Sequence, residues 1–346
     1  MIAYVFGAGA SAHANYPLAR NLLQELSIWL YGQNIQAPRI EDFRNRFVQL
    51  RELFCSLDDF EEILQRLGTD GNQRVEIKSD APQAVRDIIE DLVRDETNDQ
   101  SNFFYQYSLR GDLVSAVREF FYFLESHRAA DAAYDCFAQQ RVSQDDTLIT
   151  FNYDVSLESA LKGAGCWDIG SGYGFTMFAD RPRSPLTLFK LHGSVNWFQA
   201  PMQNALPPLM FSRDLELLGY QDVRDSRIRD DGIGVNETGT LILPDTDKRF
   251  YWEPLWQPLW ESAAARLRGV EELFVHGYSM PPADARARRL LFDNVNPGTP
   301  IHIFCRGASE CIASEFRQAG FSDVRPNSEV RFEVWASNGP VRGRHS

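Results

Sequence analysis

The chain has 346 residues, 44% of them hydrophobic and 12% aromatic, which suits one large α/β domain with an insertion, or two domains, around a substantial core. Lys and Arg number 35 against 48 Asp and Glu, and the net charge of −13 opposes general adhesion to nucleic acid or to an anionic membrane while leaving room for a local basic pocket. The five cysteines, Cys55, Cys136, Cys166, Cys305 and Cys311, are scattered without any Cys-x-x-Cys pair, so reduced thiols are expected rather than a disulfide framework or a zinc ribbon. With no signal-type start and no apolar run of membrane-spanning length, a cytoplasmic location is expected.

The stretch from Met1 to Leu22 opens the chain with a β-branched, apolar run from Ile2 to Phe6, followed by Gly7 and Gly9, with helix-forming residues resuming at Leu18. A strand, tight turn and helix in that order suit a phosphate, because glycine allows close backbone approach and free N–H groups at a helix start attract negative charge. The dinucleotide fingerprint wants a third glycine where Ser11 and Ala12 stand, so a purely structural turn is an equal reading of these residues alone.

From about residue 39 to residue 138 the pattern turns helical. Val85, Ile88, Ile89 and Leu92 form one apolar stripe, Val114, Val117, Phe121 and Leu124 another, and both read as core packing of a helical insertion. The polar stretch from Asp95 to Asn102 reads as an exposed connection.

Strand-type patterns then return. Thr147–Phe151 runs into Asn152-Tyr153-Asp154, which is either a ligand-facing strand end or a turn held by side-chain hydrogen bonds. Leu188–Leu191 ends in His192-Gly193, a titratable imidazole at the same edge. Phe198–Gly239 reads as loops or a small subdomain, Leu241–Leu243 as a strand, and Trp252–Arg266 as a tryptophan-rich helix. Glu272–His276 is a further strand ending at Gly277-Tyr278-Ser279, and Asp284 is placed to cap the helix Ala285–Phe292. Pro300–Phe304 is a core strand, Ser309–Gln318 a helix and Glu329–Trp335 an edge strand. The alternation predicts an α/β fold with a Rossmann-like doubly wound parallel sheet, formed by residues 1–38 and 139–346 and interrupted by a helical insertion lobe at 39–138.

Gly7-Ala8-Gly9-Ala10-Ser11, Thr150-Phe151-Asn152-Tyr153-Asp154, Leu191-His192-Gly193 and Gly277-Tyr278-Ser279, in that order, resemble the sirtuin superfamily and in particular its bacterial NAD-hydrolase branch associated with anti-phage defence. The resemblance implies NAD as substrate, with Asn152 and His192 as catalytic residues and Asp154 near the nicotinamide amide. It also implies that Gly7, Ala8, Gly9, Ala10 and Ser11 lie on the phosphates and that Gly277 and Ser279 form a later nucleotide-contacting turn. The deacetylase zinc ribbon is missing between Cys166 and Cys305, so no zinc is expected; Tyr16–Arg20 is only a rough counterpart of the family's Asp-Phe-Arg element, and Ile303–Arg306 lacks its asparagine. Further implications are nicotinamide and ADP-ribose, or a cyclic form, as products, gating by homo-oligomerisation, and an ATPase or helicase as a possible partner. A deacylase or ADP-ribosyltransferase, and a non-catalytic NAD or ADP-ribose sensor, are the alternatives.

Overall fold

Two glycine-bearing turns touch at the middle of a six-stranded parallel sheet, and the sheet order explains why they meet. A computed structural model describes residues 1–18, 131–175, 186–199, 209–211, 239–241, 253–281 and 284–338, with scattered helical positions in 21–29 and 117–127. The main sheet contains β1 (Ile2–Phe6), β2 (Thr147–Thr150), β3 (Thr187–Lys190), β7 (Glu272–His276), β8 (Ile301–Phe304) and β9 (Val324–Asn327), in the order β3-β2-β1-β7-β8-β9. All pairs are parallel, and the register sets Lys190, Thr150, Phe6, His276, Phe304 and Asn327 in one row near the carboxyl edge. The chain steps outward from β1 to β3 and then returns to the other side of β1, so the order reverses between β1 and β7. Open α/β sheets hold their ligands in the crevice at such a reversal. The expected doubly wound α/β fold is therefore present.

Buried rings fasten the helices to this sheet. Tyr4 and Phe6 of β1 pack edge-on against Phe137 of α2 (Ala132–Gln140), at ring-centroid distances of 5.1 and 5.2 Å. Phe332 of the C-terminal α7 (Phe332–Asn338) packs against Phe6, and Arg141 both stacks over Trp335 at 5.0 Å and donates to the Trp335 carbonyl at 2.7 Å. The expected edge strand over 329–335 is thus a helix: Phe332 and Ala336 recur at i and i+4 and are buried together, while Val324–Asn327 forms the edge strand instead. Around the sheet lie α3 (Ser156–Gly163), α4 (Glu253–Leu267), α5 (Ala285–Asn294) and α6 (Ser309–Gln318), close to the expected helices where those were read. A second sheet, β5 (Leu209–Phe211), β4 (Gly193–Gln199) and β6 (Gly239–Leu241), grows directly from the His192-Gly193 turn and is antiparallel.

Most of the expected lobe at 39–138, with Cys55, the polar stretch Asp95–Asn102 and the Val85–Leu92 stripe, lies outside the described residues, as do residues 242–243 of the expected 241–243 strand. Its described tail does reach the sheet's carboxyl edge, where Phe121 packs edge-on against Tyr153 and the Glu125 carboxylate accepts from the Val155 N–H at 2.9 Å. The four described cysteines are free. Among the described residues no helix is long and apolar enough to cross a membrane.

His276 ends β7 fully buried among Phe6, Phe304, Phe332 and Trp335, and among the described residues neither ring nitrogen has a hydrogen-bond partner. Burial, reinforced by the positive charges of His302 and Arg141, lowers its pKa to about 3.

Two predictions follow from these contacts. Gly277 sits at φ +60 with an added Cβ only 2.1 Å from the Ala10 nitrogen, whereas Gly307 at φ +78 has nothing within 4 Å. Gly277→Ala should therefore prevent or severely weaken folding, while Gly307→Ala should lose only the ~1–2 kcal/mol of the left-handed backbone, measured by urea denaturation. For His276, the unfolded chain binds more protons than the folded one between the folded value near 3 and the ordinary value of 6.5, so stability falls as pH drops through that window. His276→Phe should remove this acid sensitivity, on the order of 4 kcal/mol at full development, as read from denaturation midpoints across pH.

Candidate functional site

The turns that follow β1, β2, β3 and β7 carry the site. After β1 the chain makes one short helical turn, α1 (Ala8–Ser11), which is pressed against the turn after β7. The Gly7 N–H donates to the His276 carbonyl at 3.0 Å and the Gly9 N–H to the Gly277 carbonyl at 2.9 Å. A Cβ on Gly9 would stand 2.9 Å from the Gly277 Cα, so these glycines are needed for two backbones to meet. The Ala10 N–H turns back to the Gly7 carbonyl at 2.9 Å. The amides of Gly7, Gly9 and Ala10 are therefore committed within the protein. Gly9 and Ser279 are exposed at the rim, Ala8 and Gly277 are half-buried, and Ala10 and Ser11 are buried.

Asn152 lies two residues beyond β2, buried beneath that rim. Its Nδ2 donates to Ser11 Oγ at 3.0 Å, and Ser11 Oγ is 3.1 Å from the Tyr134 hydroxyl of α2. Burial holds the Tyr134 phenol well above its ordinary range, so it stays protonated. With Nδ2 on the serine, Asn152 Oδ1 is a buried acceptor with no partner among the described residues. An orphaned acceptor costs stability unless something fills it.

His192 stands at the equivalent place beyond β3, next to Asn152 because Thr150 and Lys190 are paired and the Leu191 N–H donates to the Thr150 carbonyl at 3.1 Å. Its ring packs on Phe151, with centroids 4.9 Å apart, and Phe151 stacks on Tyr278 at 4.4 Å. His192 Nε2 faces Asp284 Oδ1 at 3.5 Å, and the other carboxylate oxygen accepts from the Tyr278 hydroxyl at 3.0 Å. Asp284 precedes α5, as read from the sequence, but it makes no side-chain cap bond. Its carboxylate is turned to the tyrosine and the histidine instead.

Asp154 is buried, and its Oδ1 accepts from the Ser156 N–H at 3.1 Å, closing the turn that begins α3. Under this turn lies a fully buried ion pair, with Lys190 Nζ 2.8 Å from Glu158 Oε1. Lys190 also donates to the Asp154 carbonyl. Burial pushes the Glu158 carboxyl up to about 7 against the downward pull of Lys190. Among the described residues no cluster of three or more His, Cys, Asp or Glu is arranged to hold a metal ion.

Four strand ends thus bring together the predicted Gly7–Ser11 turn, Asn152, Asp154, His192 and the Gly277–Ser279 turn. Sequence reasoning missed Tyr134, Tyr278, the Asp284 carboxylate and the Lys190–Glu158 pair. A signal was available for Lys190, a charge inside the apolar run Leu188–Leu191.

No family model matches the chain, and no curated protein matches it. Solved structures that resemble it are Sir2 enzymes. One, described under the mechanism and regulation of Sir2 enzymes, is 13% identical with a TM-score of 0.42, covering 97% of this chain and 91% of that one. A Sir2 bound to acetylated peptide is 11% identical with a TM-score of 0.41, covering 97% of this chain and 90% of that one. A mutant Sir2 homologue in complex with ADP-ribose is 14% identical with a TM-score of 0.38, covering 92% and 91%. At that distance the chemistry has to come from this chain's own residues.

Lys190→Met would strand Glu158 as an uncompensated buried acid. It should cost about 3–5 kcal/mol of unfolding free energy in urea, most of it recovered in the double variant Lys190→Met, Glu158→Leu.

Proposed function

We propose that this site hydrolyses the nicotinamide–ribose bond of NAD. The observation that carries the reading is Asn152 Oδ1, a buried acceptor with no partner among the described residues, on the strand end next to the one that carries His192, at the sheet reversal where open α/β sheets hold their ligands. An amide oxygen in that setting suits a ribose hydroxyl or a water molecule.

The reaction asks little of the protein. Nicotinamide on ribose is a cation that leaves as a neutral molecule, so its departure needs no acid, and an oxocarbenium-like sugar remains for water to attack. Asn152 orients the sugar hydroxyl or the incoming water through Oδ1. His192 accepts the proton that water loses as its oxygen bonds to the anomeric carbon, and releases it afterwards to solvent. The rim formed by the turns after β1 and β7 covers the phosphates. Asp154 shapes the nicotinamide end from a turn that Lys190 holds in place. Products are nicotinamide and ADP-ribose, or a cyclic form where an internal group attacks in place of water.

The sequence resemblance extends this reading to an effector that depletes NAD during phage infection. An enzyme of that kind must be silent until needed, so self-assembly or a partner such as an ATPase gates it.

Nicotinamide release from NAD, followed without any peptide, tests the reading. Wild type should release it, and Asn152→Ala and His192→Ala should each lose at least about a hundred-fold while retaining their unfolding midpoints within a few degrees. Release that depends on an acylated peptide would assign the site to deacylation, and normal release by either variant would overturn the residue assignments.

A further inference from the structure

We propose that Asp284, steadied by Tyr278, is the positioning residue that holds His192 in the tautomer and orientation needed to act as the base. The inference rests on the NAD-cleaving reading above and adds to it two residues that come from the turn after β7, far in sequence from the strand that carries the histidine.

The geometry is that of an oriented base. His192 Nε2 faces Asp284 Oδ1 at 3.5 Å, with both side chains only 6% exposed. Water is therefore largely kept from the carboxylate, and its attraction for a ring N–H is correspondingly strong. An acceptor-only group opposite Nε2 favours the proton on that nitrogen and leaves the lone pair on Nδ1. A carboxylate can then also stabilise the imidazolium that forms once Nδ1 has taken a proton. The contact is longer than a finished hydrogen bond, as is common for catalytic pairs without substrate.

Four features show that the carboxylate is aimed rather than incidental. Asp is among the best helix N-cap residues, and a cap contributes about 1 kcal/mol, yet Asp284 makes no side-chain cap bond to α5. Its second oxygen is claimed by the Tyr278 hydroxyl at 3.0 Å, which prevents the carboxylate from rotating away. Tyr278 is fixed in turn by its stack on Phe151, the same ring that packs on His192. Between Tyr278 and Asp284, Met280 is buried with φ +52, a strained conformation for a side chain of that size, and its carbonyl is held by Arg288 Nη1 at 3.3 Å.

The test joins kinetics to a signature that does not depend on turnover. Nitrogen-15 NMR of the full chain, with the His192 signals assigned by their loss in His192→Gln, should show the Nε2–H tautomer in wild type. In Asp284→Asn the amide can donate to Nε2, and the ring should switch to Nδ1–H. The kcat for NAD cleavage should fall at least about a hundred-fold with KM changed by less than about threefold, since a wrong tautomer disables the base without touching substrate binding. Tyr278→Phe keeps the carboxylate and should keep the tautomer, with kcat down about tenfold. An unchanged tautomer in Asp284→Asn, or a loss expressed in KM alone, would overturn the proposal. Should wild type cleave no NAD, the functional reading fails, while the tautomer switch still decides whether Asp284 governs His192.

Discussion

The site depends on a close approach of two backbones. Gly7 and Gly9 leave β1 and press against Gly277 leaving β7, with amide-to-carbonyl bonds in between and no room for a Cβ on any of the three. A parallel sheet that reverses its order opens a crevice at the reversal, because neighbouring connections run to opposite faces. Here the crevice floor is drawn tight. The consequence is that Ser11, one turn beyond Gly7, arrives within bonding distance of Asn152 and Tyr134, and that Tyr278, one residue beyond Gly277, arrives on Phe151. One contact positions groups from three strands.

The polar groups are arranged in layers of decreasing freedom. Deepest is the Lys190–Glu158 pair, whose stability rests on mutual compensation and whose spare lysine donor holds the Asp154 carbonyl. Above it, Asn152 spends its donor on Ser11 and retains an unused acceptor. Buried pairs of this sort add little net stability, and apolar residues of the same size would serve a core as well. What they supply at this place is a fixed backbone path for the turn from Asn152 to Ser156, which an apolar contact without direction would not give.

Much of this was legible in the sequence, for a physical reason. Strands of a parallel sheet covered by helices are buried on both faces, so Ile2–Phe6, Thr147–Phe151 and even Leu188–Leu191 on the edge strand β3 read as largely apolar runs, and the first polar residues after each run mark the carboxyl edge. That alone places Gly7, Asn152, His192 and Gly277 on one edge. The C-terminal helix was hidden because Phe332, Val334 and Trp335 fit a short strand as well as a helix, and only packing against α2 and β7 decides between them. Gly7 and Gly9 announce a close backbone approach, but that Gly9 meets another glycine, a partner more than 260 positions away, is something no local pattern reveals. Asp284 was read as a cap because capping is what an aspartate before a helix ordinarily does, and its other use depends on Tyr278 and His192 being folded around it.

The sharpest case is a pair of near-identical signals with opposite outcomes. Leu191-His192-Gly193 and Val275-His276-Gly277 each place a histidine and a glycine after an apolar strand, and both glycines take positive φ, +83 and +60. Strand parity separates them. His276 is the last paired residue of β7 and lies level with Phe6 and Phe304, so its ring belongs to the aromatic layer beneath α7 and stays neutral and unpartnered. His192 lies two residues beyond the last pair of β3, past the point where the pleat dictates direction, and the turn can swing it toward the crevice. Among the described residues a carboxylate faces one ring and none the other. What separates the two histidines is thus register and a single aspartate from a distant turn, rather than the dipeptide that draws the eye.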